Sequence, residues 1–142
     1  GSGKLPAHIN IPMNSNIFEF AGYVEDLTLE WENAFALFVP VPEGMGLRTR
    51  IIEAWSRGIP VIAHIANEES IPELIDKNNY IGFWDVDSLL DAVKFLHESE
   101  NYQLITRAGR EAFLKFYSVD SINHVYKELS LLAIEMKTKI NG

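Results

Sequence analysis

Apolar runs and apolar stripes alternate along the chain in a definite order. Phe35–Val39 is continuously apolar, as a strand buried on both faces should be, and Pro40 and Pro42 end it. The period then changes. Ile51, Ile52 and Trp55 form a stripe at helical spacing, which predicts a helix from about Leu47 to Arg57. Gly58 caps that helix, Pro60 stops it from continuing, and Val61–His64 is the next strand. Strand, glycine turn, helix and strand make a βαβ unit of a parallel sheet.

The flanks fit the same scheme. Upstream, Asn16–Ala21 is a short strand closed by Gly22, and Val24–Asn33 a short helix with Asp26 as N-cap and Leu27 and Trp31 on its buried side. Downstream, Ser70–Asp76 gives one or two helical turns, Asn78–Asn79 a turn, and Tyr80–Trp84 a fourth strand. Asp87 caps a helix over Ser88–Glu98, in which Leu89, Leu90, Val93 and Leu96 recur at helical spacing. Tyr102–Phe116 is helical. A last helix, capped by Ser118 or Asp120, gathers Ile122, Val125, Tyr126, Leu129, Leu132, Ala133 and Met136 on one face. The fold class is α/β: a Rossmann-like, three-layer α/β/α arrangement around a mainly parallel sheet of about four strands.

The turn Glu43–Leu47 lies where the first strand of the βαβ unit ends and its helix begins, the place where open α/β sheets bind ligands. Gly44 and Gly46 allow a tight bend and leave no Cβ between a ligand and the backbone. The first N–H groups of a helix lack intrahelical partners, and the dipole makes that end positive, so an anion, usually a phosphate, is favoured there. Arg48 and Arg50 add positive charge where acidic residues are the norm. Glu53, two turns in, is placed to accept hydrogen bonds from a sugar hydroxyl. The plainer reading makes Arg50 and Glu53 a surface pair at i and i+3, worth little.

The run GMGLRTRIIEAWSRGIPVIA resembles the signature of nucleotide-sugar glycosyltransferases of the GT-B fold, in their C-terminal, donor-binding domain. NIFEFAGYVEDL, IGFWDVDSLLDAVKFL and AGREAFLKFYSVDSINHVYKEL resemble successive later and earlier parts of that domain, in the right order. The resemblance implies donor-diphosphate contacts at Gly44, Met45, Gly46 and Leu47, and ribose hydroxyls on Glu53. The family's commonest motif places two glutamates closer together than Glu43 and Glu53, which have nine residues between them. The spacing is closer to a subgroup with basic residues before the helix glutamate, which Arg48 and Arg50 fit. Glu43 is therefore the weaker transfer as a sugar contact. The family's glycine pair after PVIA is replaced by HIANEE.

On this resemblance residues 16–142 form a partial GT-B donor-binding domain, and 1–15 a cloning remnant with a lead-in loop. The implied partners are a nucleotide-sugar donor and an N-terminal domain of the same parent, which would hold the acceptor site and the catalytic base. No catalytic residue is expected here, and neither a cofactor nor a metal. The fragment alone is expected to be inactive. Two strands of the six in the doubly wound order are missing, so an exposed sheet edge favouring self-association is expected. The location expected is cytoplasmic, with the parent either free or peripheral to a membrane. Two alternatives stay open: another GT-B enzyme, such as a nucleotide-sugar epimerase, and a non-catalytic interaction module of the same fold.

Composition narrows the field further. The 142 residues fit one domain, and 47% hydrophobic with 23% charged residues is ordinary for a globular chain. A net charge of -8 without a basic run argues against nucleic acid or an anionic membrane surface. No apolar run is long enough to span a membrane, and the absence of cysteine excludes disulfides and thiol chemistry. GSGK at the start lacks the preceding strand and the following hydroxyl residue of a phosphate loop. Asp85 and Asp87, in WDVD, match the metal motif of the other glycosyltransferase fold, but Asp87 stands where a helix needs its cap. His64 follows a strand at the ligand end of the sheet and is kept as a donor contact, against the plainer reading of a structural histidine.

Overall fold

The computed structural model describes residues 21–42 and 46–140, in two compact units, Gly1–Asn33 and Ala34–Gly142. The lead-in loop, most of the strand expected at Asn16–Ala21, and Glu43, Gly44 and Met45 lie outside the described residues. In the first unit, α1 spans Thr28–Asn33. It starts later than Val24 because the Asp26 carboxylate takes both the Thr28 N–H, at 2.9 Å, and the Thr28 hydroxyl, at 2.6 Å. Trp31 is buried.

The second unit holds three parallel strands in the order β1-β2-β3: Leu37–Val39, Val61–His64 and Ile81–Phe83. This is the expected Rossmann-like α/β architecture, with one strand fewer than expected among the described residues. Leu37 pairs with Val61, Ile62 with Ile81, and His64 with Phe83. Alternation along the strands puts Phe38, Ile62, Ile81 and Phe83 on one face. Ile62, Ile81 and Phe83 form the core there with Ala92 and Leu96 of α3 (Val86–His97) and Ile105 of α4 (Ser99–Phe116). The opposite face carries Leu37, Val39, Val61, Ala63 and Gly82, and a Cβ on Gly82 would stand 2.9 Å from the Ile65 Cγ2 and 3.1 Å from the Tyr80 hydroxyl.

α2, Thr49–Ser56, buries Ile51, Ala54 and Trp55, while Ile52 is only half-buried. Gly58 ends it at φ +68°, the left-handed conformation expected of its cap. The Trp55 indole is 1% exposed and donates from Nε1 to the Asn79 carbonyl at 2.9 Å. Gly109 of α4 lies against that ring, so the absence of a side chain there lets α4 close on α2. Arg110 of α4 also donates to the Ser56 carbonyl at the end of α2.

Several expectations need correction. β1 is shorter than Phe35–Val39 and is not buried on both faces: Phe38 is 49% exposed and leans on Phe83, with ring centroids 5.5 Å apart. Phe35, just before it, stacks on His97 and meets the Tyr102 ring at a tilt instead. No helix forms at Ser70–Asp76, which makes turns; a 3-10 helix, not expected, lies before it at Ile65–Glu69, with the His64 side chain as its cap. Asp85, not Asp87, caps α3. Its carboxylate accepts the Ser88 N–H at 2.8 Å, and the Ser88 hydroxyl in turn takes the Asp85 N–H at 3.0 Å. Ser118 caps α5, Val119–Ile140, by accepting the Ser121 N–H.

The apolar face of α5 packs little: Tyr126, Leu129, Leu132 and Met136 are all more than half exposed. The outward N–H groups of edge strand β3 are not left open either. Gly82 donates to the Asp76 carboxylate at 2.7 Å, and Trp84 to the Ser88 hydroxyl at 3.0 Å.

Candidate functional site

The start of α2 faces the carboxyl end of β1, as the βαβ order requires. Arg48 occupies the N-cap position with φ −84° and ψ 77°, and its own side chain makes no capping hydrogen bond. Its first turn carries no acidic residue. Gly46 precedes it at φ +80°, a conformation that favours glycine, and a Cβ there would meet nothing within 4 Å. Leu47 is 55% exposed. Among the described residues nothing obstructs the backbone at this helix end, and its partial positive charge is augmented by guanidinium groups.

Glu53 lies one helical turn further on, half-exposed, between two arginines. Its carboxylate is 3.9 Å from Arg50 and 3.4 Å from Arg57. Both pairs are solvent-accessible and contribute little to stability. They hold the carboxylate on the outer face of α2, and the plainer reading of Arg50 and Glu53 describes their geometry as it stands.

His64 closes β2 at the same end of the sheet. Its Nδ1 accepts the Ala66 N–H at 3.2 Å, so the neutral ring carries its proton on Nε2. The ring meets Phe83 edge-on at 5.6 Å. The histidine therefore has a structural task, capping the 3-10 helix, whatever else it contacts.

One residue at this end went unnoticed in the sequence. Asn67, in the 3-10 helix, is fully buried. Its Nδ2 donates to the His64 carbonyl at 2.8 Å and to the Val41 carbonyl at 3.3 Å, 26 positions earlier in the chain. It thereby ties the segment leaving β1 to the segment leaving β2. Its Oδ1 is buried without a hydrogen-bond partner among the described residues, which costs about 1–3 kcal/mol. An asparagine amid HIANEE gives no periodic or motif signal, so only coordinates reveal it.

The WDVD pair falls elsewhere, on the rim of a hollow of about 390 Å³ beside the outer edge of β3, together with Asp76, Lys77, Trp84 and Asp91. The Asp85 carboxyl is held below its usual range by its hydrogen bonds from the Ser88 hydroxyl and then the Ser88 N–H, which is capping chemistry. No three acidic or histidine side chains among the described residues are grouped to hold a metal ion. A second hollow, of about 580 Å³, lies at the far end of α2 between Arg57, Arg107 and Arg110. Two of those arginines are already engaged, Arg57 by Glu53 and Arg110 by the Ser56 carbonyl.

A helix start at the carboxyl end of a parallel strand, flanked by arginines, is compatible with many nucleotide-binding folds. The sequence profile of one family, glycosyl transferases group 1, matches residues 1–99. The chain belongs to that family. No individual curated protein matches it. For this glycosyl transferase domain the matched span contains the whole βαβ unit, the 3-10 helix with Asn67, and β3 with all of α3. α5 lies beyond the match. Of the expected site residues, Gly46, Leu47, Arg48, Arg50 and Glu53 follow one another into α2, and His64 stands at the end of the neighbouring strand. Glu43, Gly44 and Met45 lie outside the described residues. No helix among the described residues is long and apolar enough to cross a membrane.

Proposed function

We propose that this group 1 glycosyl transferase domain binds the diphosphate of a nucleotide-sugar donor at the Glu43–Leu47 turn and the start of α2. In the full-length GT-B enzyme it would serve transfer of a hexosyl group to an acceptor held by the N-terminal domain. The observation that carries the reading is the acid-free N-terminus of α2, without a capping bond from its N-cap side chain and with Arg48 and Arg50 in it. Charge builds on the leaving diphosphate as the bond from its oxygen to the sugar's anomeric carbon breaks and the acceptor oxygen bonds to that carbon. Fixed amide dipoles and guanidinium groups stabilise that charge without reorganising. Gly46 and Leu47 offer backbone amides, Arg48 and Arg50 offer charge-assisted donors, and Glu53 accepts from the ribose hydroxyls once it turns from its arginine partners. His64 contributes from the adjacent strand. No metal enters this scheme, because the positive charge is supplied by the chain.

One feature favours a non-catalytic module instead: Glu53 is already paired with Arg50 and Arg57. Titration separates the readings. UDP, GDP and ADP are added to the labelled chain while backbone amide shifts are followed. Saturable shifts at Gly46 and Leu47 that are lost in Arg48→Ala and Glu53→Ala support donor binding. No shift with any of the three at millimolar concentration favours the module.

A further inference from the structure

The geometry points to Asn67 as a positioning residue for the donor turn, an inference that rests on the donor-binding reading above. The polypeptide that leaves β1 at Val39 must turn at the sheet end before it re-enters as α2. Among the described residues on that path, Val41 is held by a side chain: its carbonyl accepts from the Asn67 amide. The same amide group holds the His64 carbonyl, so a single planar group sets the spacing between the ends of two adjacent strands.

That contact fixes where the chain leaving β1 stands at the carboxyl edge of the sheet, the edge at which open α/β sheets bind ligands. Asn67 is fully buried, so it acts on a ligand through Val41 rather than by surface contact. Its acceptor atom lacks a partner among the described residues, so its burial is not offset by a fully satisfied core network. Both donor hydrogens are in use, and both are spent on the sheet end. A carboxylate of the same shape cannot donate to either carbonyl, and an apolar isostere leaves both unpaired.

The fold holds a matched control. Asn79 is 4% exposed and also bridges backbone groups, accepting from the Ile75 N–H and donating to the Glu73 carbonyl, but it does so in the turn before β3. Nucleotide affinity is measured with UDP, GDP and ADP for the wild-type chain, Asn67→Asp, Asn67→Leu and Asn79→Ala, at a temperature where circular dichroism shows each to be folded. The expected result is a Kd raised tenfold or more in both Asn67 variants and unchanged within twofold in Asn79→Ala, with faster amide exchange at Val41, Gly46 and Leu47 in the Asn67 variants only. If neither Asn67 variant folds, the Asn67 side-chain amide resonance of the wild-type chain serves instead, and it must shift as nucleotide binds.

Unchanged affinity in both Asn67 variants, with binding still lost in Arg48→Ala, overturns the positioning role and leaves the donor reading standing. Equal weakening in Asn79→Ala overturns it as well, as does a silent side-chain resonance. A wild-type chain that binds none of the three nucleotides removes both inferences.

Discussion

Substituting Gly109 by alanine sets two effects of opposite sign against each other. Alanine is the better helix former, and the exchange alone would stabilise α4 by about 1 kcal/mol. The structure opposes it. A Cβ at position 109 would stand 2.6 Å from the Trp55 Cδ1, 2.9 Å from its Nε1 and 3.3 Å from the Asn79 carbonyl oxygen. The obstacle is a rigid indole, 1% exposed and fastened by its own hydrogen bond, not the free end of a flexible chain. Overpacking of this kind costs about 1–3 kcal/mol. Moving the ring also strips the Nε1 donor of its partner, which costs roughly 1–3 kcal/mol for a buried group. Subtracting the helical gain leaves a net loss of about 1–5 kcal/mol, or a melting temperature lower by roughly 4–20 °C. Thermal unfolding followed by circular dichroism measures it, with indole fluorescence in a Trp31→Phe, Trp84→Phe background as a local probe of Trp55. A Gly109→Ala chain as stable as wild type, with unchanged indole emission, would refute the packing argument for how α2 is held.

The titrating groups give two further outcomes. Asp85 has its pKa lowered by the Ser88 hydroxyl and N–H, so its cap stabilises above the unfolded carboxylate pKa and is lost as pH falls through the folded one. Asp85→Ala should therefore melt below wild type at pH 7 and converge with it at strongly acid pH, and a gap that persists there contradicts the assignment. Tyr80 is raised well above its ordinary pKa by burial first, then by its hydrogen bond to Glu68 and the nearby charges of Glu68 and Asp76. Its contribution is complete below about pH 10 and lost as pH rises through the folded value, so Tyr80→Phe should flatten the alkaline fall in melting temperature. The same slope in both proteins would place the loss elsewhere; Tyr117, raised by burial and by Glu73, is the next candidate.

Local rules carried much of the fold. The run from Gly58 through His64 contains a helix stop, a proline and four strand residues, and each appears where its chemistry places it. Two aspartates two positions apart made the cap of α3 ambiguous. Ser88, three residues after Asp85, completes a reciprocal pair that Asp87 cannot make, and that spacing was legible in DVDS. A histidine N-cap was not, since imidazole is an unusual acceptor at a helix start. The stripe on α5 was legible as a stripe, but periodicity says nothing of what covers it, and Tyr126 and Leu129 remain exposed. At the site, the arginines and glycines announced a charged turn. Asn67 did not, because its partners lie on separate segments and its role is fixed only when two strand ends meet.

The central claim is that the start of α2 holds a diphosphate. It is tested most directly by calorimetric titration of the chain with one nucleoside, its monophosphate and its diphosphate, at fixed low salt. Charge-assisted hydrogen bonds of roughly 1.5–3 kcal/mol each predict a diphosphate bound at least about tenfold more tightly than the monophosphate, with affinity falling as salt is added. Equal affinity for all three, insensitive to salt, would contradict the account, since recognition would then rest on the base and ribose alone.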